Sequence, residues 1–476
     1  MIIDLQSILP QIILSIGGLC LLLLSTLPSA KKISNLSCAI TLAIFLASLA
    51  SLFITTHHGT RHAFSNNIAV DGLGTFFSAL CIISAIFTFL LSIKYIQDGG
   101  WGIIEYGAIL IFATAGMVFM VSSENLITIY IGLELMAISS YVLASFSRDK
   151  EKSFESGFKY FILGSFSSGI LLYGISLIYG ATGTVDLVIL LQALQLEDKL
   201  LTAGIILTLC GLLFKIAAVP FHIWTPDVYE GAPTPVTSFF STGPKAAGFA
   251  VIIRIMALGL APMQDVWIPL LALSAGCTMI FGNLVALMQK NIKRMLAFSS
   301  IAHAGYILLG VLAHNKLGYQ AILYYLIAYV LMNAGAFALV VYLKSNQFAC
   351  ETIDDFRGLH KKNPLAAFCM LIFMLSLTGI PPTAGFVGKF FLFAAAIQSG
   401  YITLAIIGFM TSVVSLYYYM GPVKAMYMSD DTSEGILHPH WAITLTLIIC
   451  LAGTLVIGII PNRIINIING VFLTLS

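Results

Sequence analysis

The stretch 201-LTAGIILTLCGLLFKIAAVPFHIW-224, followed by 225-TPDVYEGAPTP-235 and 235-PVTSFFSTGPKAAGFAVIIRIMA-257, decides the fold. It reads as two apolar helices, one carrying Lys215 and the other Lys245, joined by a connector rich in Pro and Gly that also carries two acids. An ammonium at the centre of a bilayer costs from about 2.5 to well over 10 kcal/mol, according to how much water reaches it. Two such groups in consecutive helices require a function or a partner.

The rest of the chain is a membrane protein throughout. Of 476 residues, 59% are hydrophobic and 9% charged, with a mean hydropathy of +0.98. Soluble proteins carry about 25% charged residues. About fourteen runs approach the ~20 residues that cross a ~30 Å hydrocarbon core. They fall near 7–27, 33–54, 71–96, 102–121, 124–146, 155–180, 200–223, 233–259, 265–288, 293–313, 318–344, 364–398, 402–427 and 441–461. The first run has no basic flank, so it reads as a retained span and not as a cleaved signal. The apolar piece 464–476 is too short to cross again.

Alternate loops differ in basic charge. One set holds Lys31, Lys32, Lys94, Arg148, Lys150, Lys152, Lys290, Lys293, Arg294, Lys344, Arg357, Lys361, Lys362 and Lys424; the other holds Arg61, Lys199, Lys316 and Arg463. Basic loops stay in the cytoplasm, so both termini are expected on the outer side. The loop 350-CETIDDFRGLHKKNP-364 reads as a mixed-charge cytoplasmic connector.

The eight cysteines lie far apart with no CxxC pair, which argues against iron–sulfur, haem c or zinc ligation in this chain. No GxGxxG or Walker A pattern is present, and nothing suggests nucleic-acid binding. The sequon at Asn35 reads as chance.

Few ionisable residues fall deep within spans: Glu134, Lys215, Lys245, His303 and Lys389, each on a different helix. Glu105, Lys159, Arg254 and Asp71 lie nearer span ends, where side chains can snorkel to the interface. A pair between Glu134 and Lys215 at about 4 Å, in an effective dielectric near 20, is worth about 4 kcal/mol. Making or breaking it changes a proton's affinity about a thousandfold, so the pair is a candidate switchable proton site. The plainer alternative is a static pair that fixes helix packing. Ser299, Ser300, His303 and Tyr306 recur at three- and four-residue spacing and give one polar helix face. No second His or carboxylate shares it, so metal binding is not expected.

Helix breaks accompany the lysines. Pro220 follows Lys215, and Gly379, Pro381, Pro382 and Gly385 precede Lys389. Proline removes a donor and clashes with the preceding turn, and such breaks within membranes mark ion paths between inverted repeats. Spans four to eight and nine to thirteen form two sets of five, opposite in orientation, with the broken helix fourth in each. The domains expected are therefore 1–100, 101–260, 261–430 and 431–476.

At these residues the chain resembles a known family. The motifs are GLELMAISSYVLASF (132–146), LLFKIAAVPFHIWTPDVYEGAPTPVTSFFSTGPKAAGFA (212–250), NIKRMLAFSSIAHAGYILLG (291–310) and LTGIPPTAGFVGKFFLF (377–393). They resemble the antiporter-like subunits of respiratory complex I, the proton-translocating NADH-quinone oxidoreductase. A lysine at position 389 looks like the subunit N branch, which includes mitochondrial NADH dehydrogenase subunit 2. The resemblance implies a proton-pumping subunit of the bacterial inner membrane with no cofactor of its own. NADH, FMN, iron–sulfur clusters and quinone would belong to partner subunits. Those partners would be a neighbouring antiporter-like subunit, small membrane subunits and a peripheral redox arm. It also implies that Glu134 pairs with Lys215, that Lys245 links them to a central axis, and that Lys389 leads outward. A subunit of a multisubunit sodium/proton antiporter is the alternative, and a static membrane scaffold is a third.

Overall fold

The computed structural model describes residues 2–27, 34–56, 61–194, 198–344, 351–429 and 440–473. Lys31, Lys32 and Cys350 of the readings above lie outside these described residues.

Two helices are buried all round. Thr234–Ile252, which carries Lys245, has every side chain inside, and Ile292–Ala313, which carries His303, has nearly all of them inside. A helix apolar on every face belongs at the centre of a bundle. Helices at the periphery expose large apolar groups instead. Glu151–Thr182 shows Phe154, Phe158, Phe161, Phe166 and Tyr173, and Ile402–Met428 shows Ile406, Phe409, Met410, Val413 and Tyr417. This is the inside-and-outside apolar pattern that lipid permits and water does not.

Among the described residues, eleven helices are long and apolar enough to cross a membrane. The first expected span is the shorter helix Leu9–Ser25. The seventh ends as a helix at Lys215 and resumes as Trp224–Gly231, so the connector that reads as irregular is partly helical. The twelfth divides into Pro364–Thr378 and Ala384–Gln398. The all-helical expectation has one departure among the described residues, a small hairpin in which Arg61–Ala63 pairs antiparallel with Ile68–Val70.

Helix starts are set by side-chain caps. Asn125, Asp198 and Asn291 each accept hydrogen bonds from two backbone N–H groups of the helix that follows, which satisfies donors the helix leaves open. Asp71 caps Gly72–Asp98 through the Gly74 N–H.

Close helix approach places the first lysine. Glu151–Thr182 packs along Lys199–Lys215, and glycines line the seam. A Cβ on Gly174 would stand 2.5 Å from the Thr208 nitrogen, and one on Gly204 would stand 2.9 Å from the Ile178 nitrogen. Only glycine allows the two backbones so near, and the seam carries Ser168 to Lys215.

Candidate functional site

Lys215 is the last residue of its helix, not a mid-helix group. A cation at a helix C-terminus is favoured by the dipole. Its Nζ donates to Ser168 Oγ at 3.2 Å and lies 5.9 Å from the centre of the Phe214 ring. Tyr141, on the Glu134 helix, packs edge-on against Tyr160 with ring centres 4.8 Å apart, and its buried hydroxyl makes no hydrogen bond.

Glu134 sits at the middle of Leu126–Ala144, half-buried, and its Oε1 has no hydrogen bond. The expected contact pair with Lys215 is not made: among the described residues no ion pair joins the two, and Lys215 turns to Ser168 instead. Ser168 therefore holds the amine in place of the acid.

Lys245 is buried, directly after Pro244 in its helix. Its Nζ donates to the Ser300 carbonyl at 2.5 Å and lies 6.0 Å from the Tyr329 ring centre. The His303 helix thus receives the lysine through its backbone.

His303 is enclosed by tyrosines. Its Nδ1 is 2.5 Å from Tyr325 Oη and its Nε2 is 3.0 Å from Tyr419 Oη, which in turn bonds Ser299 Oγ. Both ring nitrogens therefore meet a hydroxyl, so the imidazole can take a proton on one side and give it up on the other. Lys245 reaches the same helix at Ser300, three residues before His303, and Lys389 lies over the Tyr306 ring, three residues after it.

Lys389 is held most firmly. Its Nζ donates to the carbonyls of Leu377 at 2.9 Å and Thr378 at 2.8 Å, and to Ser412 Oγ at 2.8 Å. These use all three ammonium hydrogens. The two carbonyls end the helix Pro364–Thr378, where four backbone acceptors lack helical partners. Gly379, at φ +90°, closes that helix, and a Cβ there would stand 2.9 Å from Lys389 Cδ. Tyr306 lies beneath the amine, 4.8 Å from ring centre to Nζ, and its hydroxyl accepts from Asn283 Nδ2 at 2.9 Å.

The polar face read from Ser299, Ser300, His303 and Tyr306 is present, buried, and shared between Tyr419, Lys245 and Asn283. The sequence reading missed the uncharged partners: Ser168, Tyr325, Tyr419, Ser412 and Asn283. Their one signal was clustering, as in Tyr417-Tyr418-Tyr419 and in Tyr325 beside Tyr329. The reading also misplaced Arg254 and Asp71. Neither snorkels; Arg254 is fully buried and bonds Asp71 at 2.7 Å.

At the opposite end of the connector an ion-pair network fixes Trp224–Gly231. Asp227 meets Lys159 at 2.9 Å and Arg294 at 2.8 Å, while Glu230 meets Arg294 at 2.9 Å and Lys152 at 3.3 Å. Burial raises the Asp227 carboxyl, but the hydrogen bonds from Lys159 and Arg294 outweigh it and hold the group below its ordinary range.

Residues 123–415 match the model of a family described as NADH:quinone oxidoreductase/Mrp antiporter, transmembrane. A NADH-quinone oxidoreductase subunit N of Trichlorobacter lovleyi is 44% identical over 98% of this chain and 96% of its own length. The chain belongs to the NADH-quinone oxidoreductase subunit N family. A chain from respiratory complex I of Thermus thermophilus with bound aureothin is similar to this family member at 34% identity. It has a TM-score of 0.82 and covers 96% of this chain and 98% of that one. A chain of the Mrp complex from a Dietzia species superposes with a TM-score of 0.86, over 98% of this chain and 97% of that one. At 22% identity that likeness shows the fold alone.

Proposed function

We propose that this proton-translocating membrane subunit of NADH-quinone oxidoreductase moves protons along Glu134, Lys215, Lys245, His303 and Lys389. The observation that carries the reading is His303. It is a buried imidazole with a hydroxyl at each nitrogen, and a buried lysine meets its helix three residues to either side. A proton placed on Lys245 or Lys389 changes the cost of a proton on His303, so charge in one half is felt in the other. Moving one charge against 100 mV costs about 2.3 kcal/mol, which is within the reach of one rearranged ion pair at about 4 kcal/mol.

The subunit sits with other membrane subunits and the peripheral arm, in the inner membrane of a bacterium. NADH oxidation and quinone reduction occur on those partners, with their FMN and iron–sulfur clusters. This chain supplies the proton path. We assign it fourteen crossings, with the broken segments 199–231 and 364–398 each counted as one, and both termini outward. The segments 101–260 and 261–430 are taken as the inverted five-helix repeats, flanked by 1–100 and 431–476. The similar backbone turns after Lys215 and Thr378 support that assignment.

The test is proton pumping by the assembled complex in sealed vesicles. Lys215→Ala or Lys245→Ala is expected to lower pumping severalfold or more at wild-type assembly. Normal pumping by either variant overturns the path.

A further inference from the structure

Another group of buried ionisable side chains lies at the far end of the Lys245 helix. Arg254 follows Lys245 by nine residues and is 0% exposed. Its Nη2 donates to Asp71 Oδ1 at 2.7 Å, its Nε donates to the Val121 carbonyl at 2.7 Å, and its Nη1 stands 3.5 Å from Glu124 Oε1. The other oxygen of Glu124, Oε2, is 3.0 Å from His62 Nδ1, and the His62 side chain is 51% exposed. The four residues come from four places: the hairpin strand Arg61–Ala63, the cap of Gly72–Asp98, the turn before Leu126, and the end of the Lys245 helix.

Two carboxylates thus face one guanidinium, which stays charged at all working pH values. With His62 neutral and both acids ionised, the group holds an unbalanced negative charge. Asp186, which caps the next short helix, adds its own charge toward Glu124. A buried, unbalanced charge is costly, and one added proton removes the imbalance.

Asp71 is already engaged. The guanidinium and the Gly74 N–H, at 2.6 Å, both bond its Oδ1. Glu124 is held less tightly. Its contact with Arg254 is longer, and burial keeps its carboxyl above the ordinary range against the opposing pull of Arg254 and His62. Asp71 Oδ2 and Glu124 Oε2 are buried without a hydrogen bond, the latter although it lies 3.0 Å from His62 Nδ1, so two carboxylate oxygens of one group have room for a proton.

We infer that His62 and Glu124 share one exchangeable proton at the outward end of this subunit, in a site braced by the fixed Arg254–Asp71 pair. The proton passes from Glu124 Oε2–H to His62 Nδ1 and leaves a carboxylate beside an imidazolium; the half-exposed ring then releases it to the aqueous phase. No electron moves. The inference rests on the proposed function for the side it faces, and not for the site itself.

The test is an infrared titration of the protonated-carboxyl band in the assembled complex. Wild type is expected to show a band that fades as pH rises, at a midpoint above the ordinary carboxylate range, and that Glu124→Gln abolishes. His62→Gln is expected to move its midpoint by about one pH unit, a tenfold change in proton affinity. A band unchanged by Glu124→Gln overturns the inference. Should that variant fail to assemble, His62→Gln decides alone, because the ring is half exposed, and an unmoved midpoint overturns the inference. Lys245→Ala is expected to leave the titration intact whatever it does to pumping, so the central path and the outer site can fail separately.

Discussion

The two broken helices solve the same backbone problem with different electrostatics. After Lys215 the chain turns at Ala217, with φ +60°, and the Ala218 N–H reaches back to the Leu213 carbonyl at 2.9 Å. After Thr378 it turns at Gly379, with φ +90°, and the Ile380 N–H reaches back to the Leu375 carbonyl at 3.0 Å. A cis X-Pro bond follows each turn, at Val219-Pro220 and Pro381-Pro382. The lysines, however, lie on opposite sides of their turns. Lys389 comes after its break and returns its amine to the open carbonyls of the preceding helix. Lys215 comes before its break and points away from its own helix to a single serine. One lysine is a cap with every donor in use. The other has one polar side-chain partner and a carboxylate at a distance. A cation held by one hydroxyl can change partners at small cost, and a cation holding a helix end cannot.

That contrast can be broken most directly at the lysines themselves. Lys389→Met removes three hydrogen bonds and leaves the Leu377 carbonyl unpaired, at about 1–3 kcal/mol for a buried group so left, while Ser412 keeps its bond to the Thr378 carbonyl at 3.0 Å. Lys215→Met strands one hydroxyl. The thermal unfolding midpoint of the assembled complex should therefore fall further for Lys389→Met; equal falls would erase the distinction. The turns give the next largest effect. Gly379→Ala should destabilise by more than the about 1–2 kcal/mol of a left-handed non-glycine residue, because the added Cβ meets the Lys389 stem. Ala217→Gly should be neutral or stabilising, within about 1 kcal/mol. The same melting measurement checks both.

The serines sharpen the comparison on the side of function. Ser168→Ala removes the hydrogen bond of the Lys215 amine, worth about 1 kcal/mol or roughly fivefold in a rate. Ser412→Ala leaves Lys389 its two carbonyls, and its effect on the initial rate of proton pumping should be smaller. Equal effects would show that the two amines are equally free. The smallest effect belongs to the connector network. Asp227 is depressed, so its stabilisation is present above the ordinary carboxylate pKa of about 3.9 and is lost as pH falls through the lowered value. Asp227→Asn should flatten the acid limb of the melting-midpoint profile, modestly, because the group is partly exposed.

The charged members of the site were legible because a charge in an apolar run has no bland explanation. Lys215, Lys245, His303 and Lys389 all prove to be buried. Legible too were the two breaks, since proline and glycine act on the local backbone. What could not be read were partners without charge. Ser168, Ser412 and Tyr419 look like ordinary membrane residues until the fold brings them to an amine or an imidazole. The Glu134–Lys215 pairing failed as a contact because composition gives no distance, and Lys215 stands at a helix end whose amine turns toward the neighbouring seam. Arg254 was misread for a related reason. Its partner Asp71 lies 183 residues away in sequence, and a position near a span end says nothing about which way the side chain points.

One further bond bears on how the halves communicate. The Val219 peptide in the first break is clasped on both faces by the helix Gln264–Ala286: its N–H donates to Thr278 Oγ1 at 2.9 Å, and its carbonyl accepts from Ser274 Oγ at 2.7 Å. That helix in turn packs along the His303 helix. Val219 is thus a rivet between the break after Lys215 and the beam beside the histidine. Rewinding the break would have to drag the beam or shear two hydrogen bonds, so the two elements are bound as one mechanical unit.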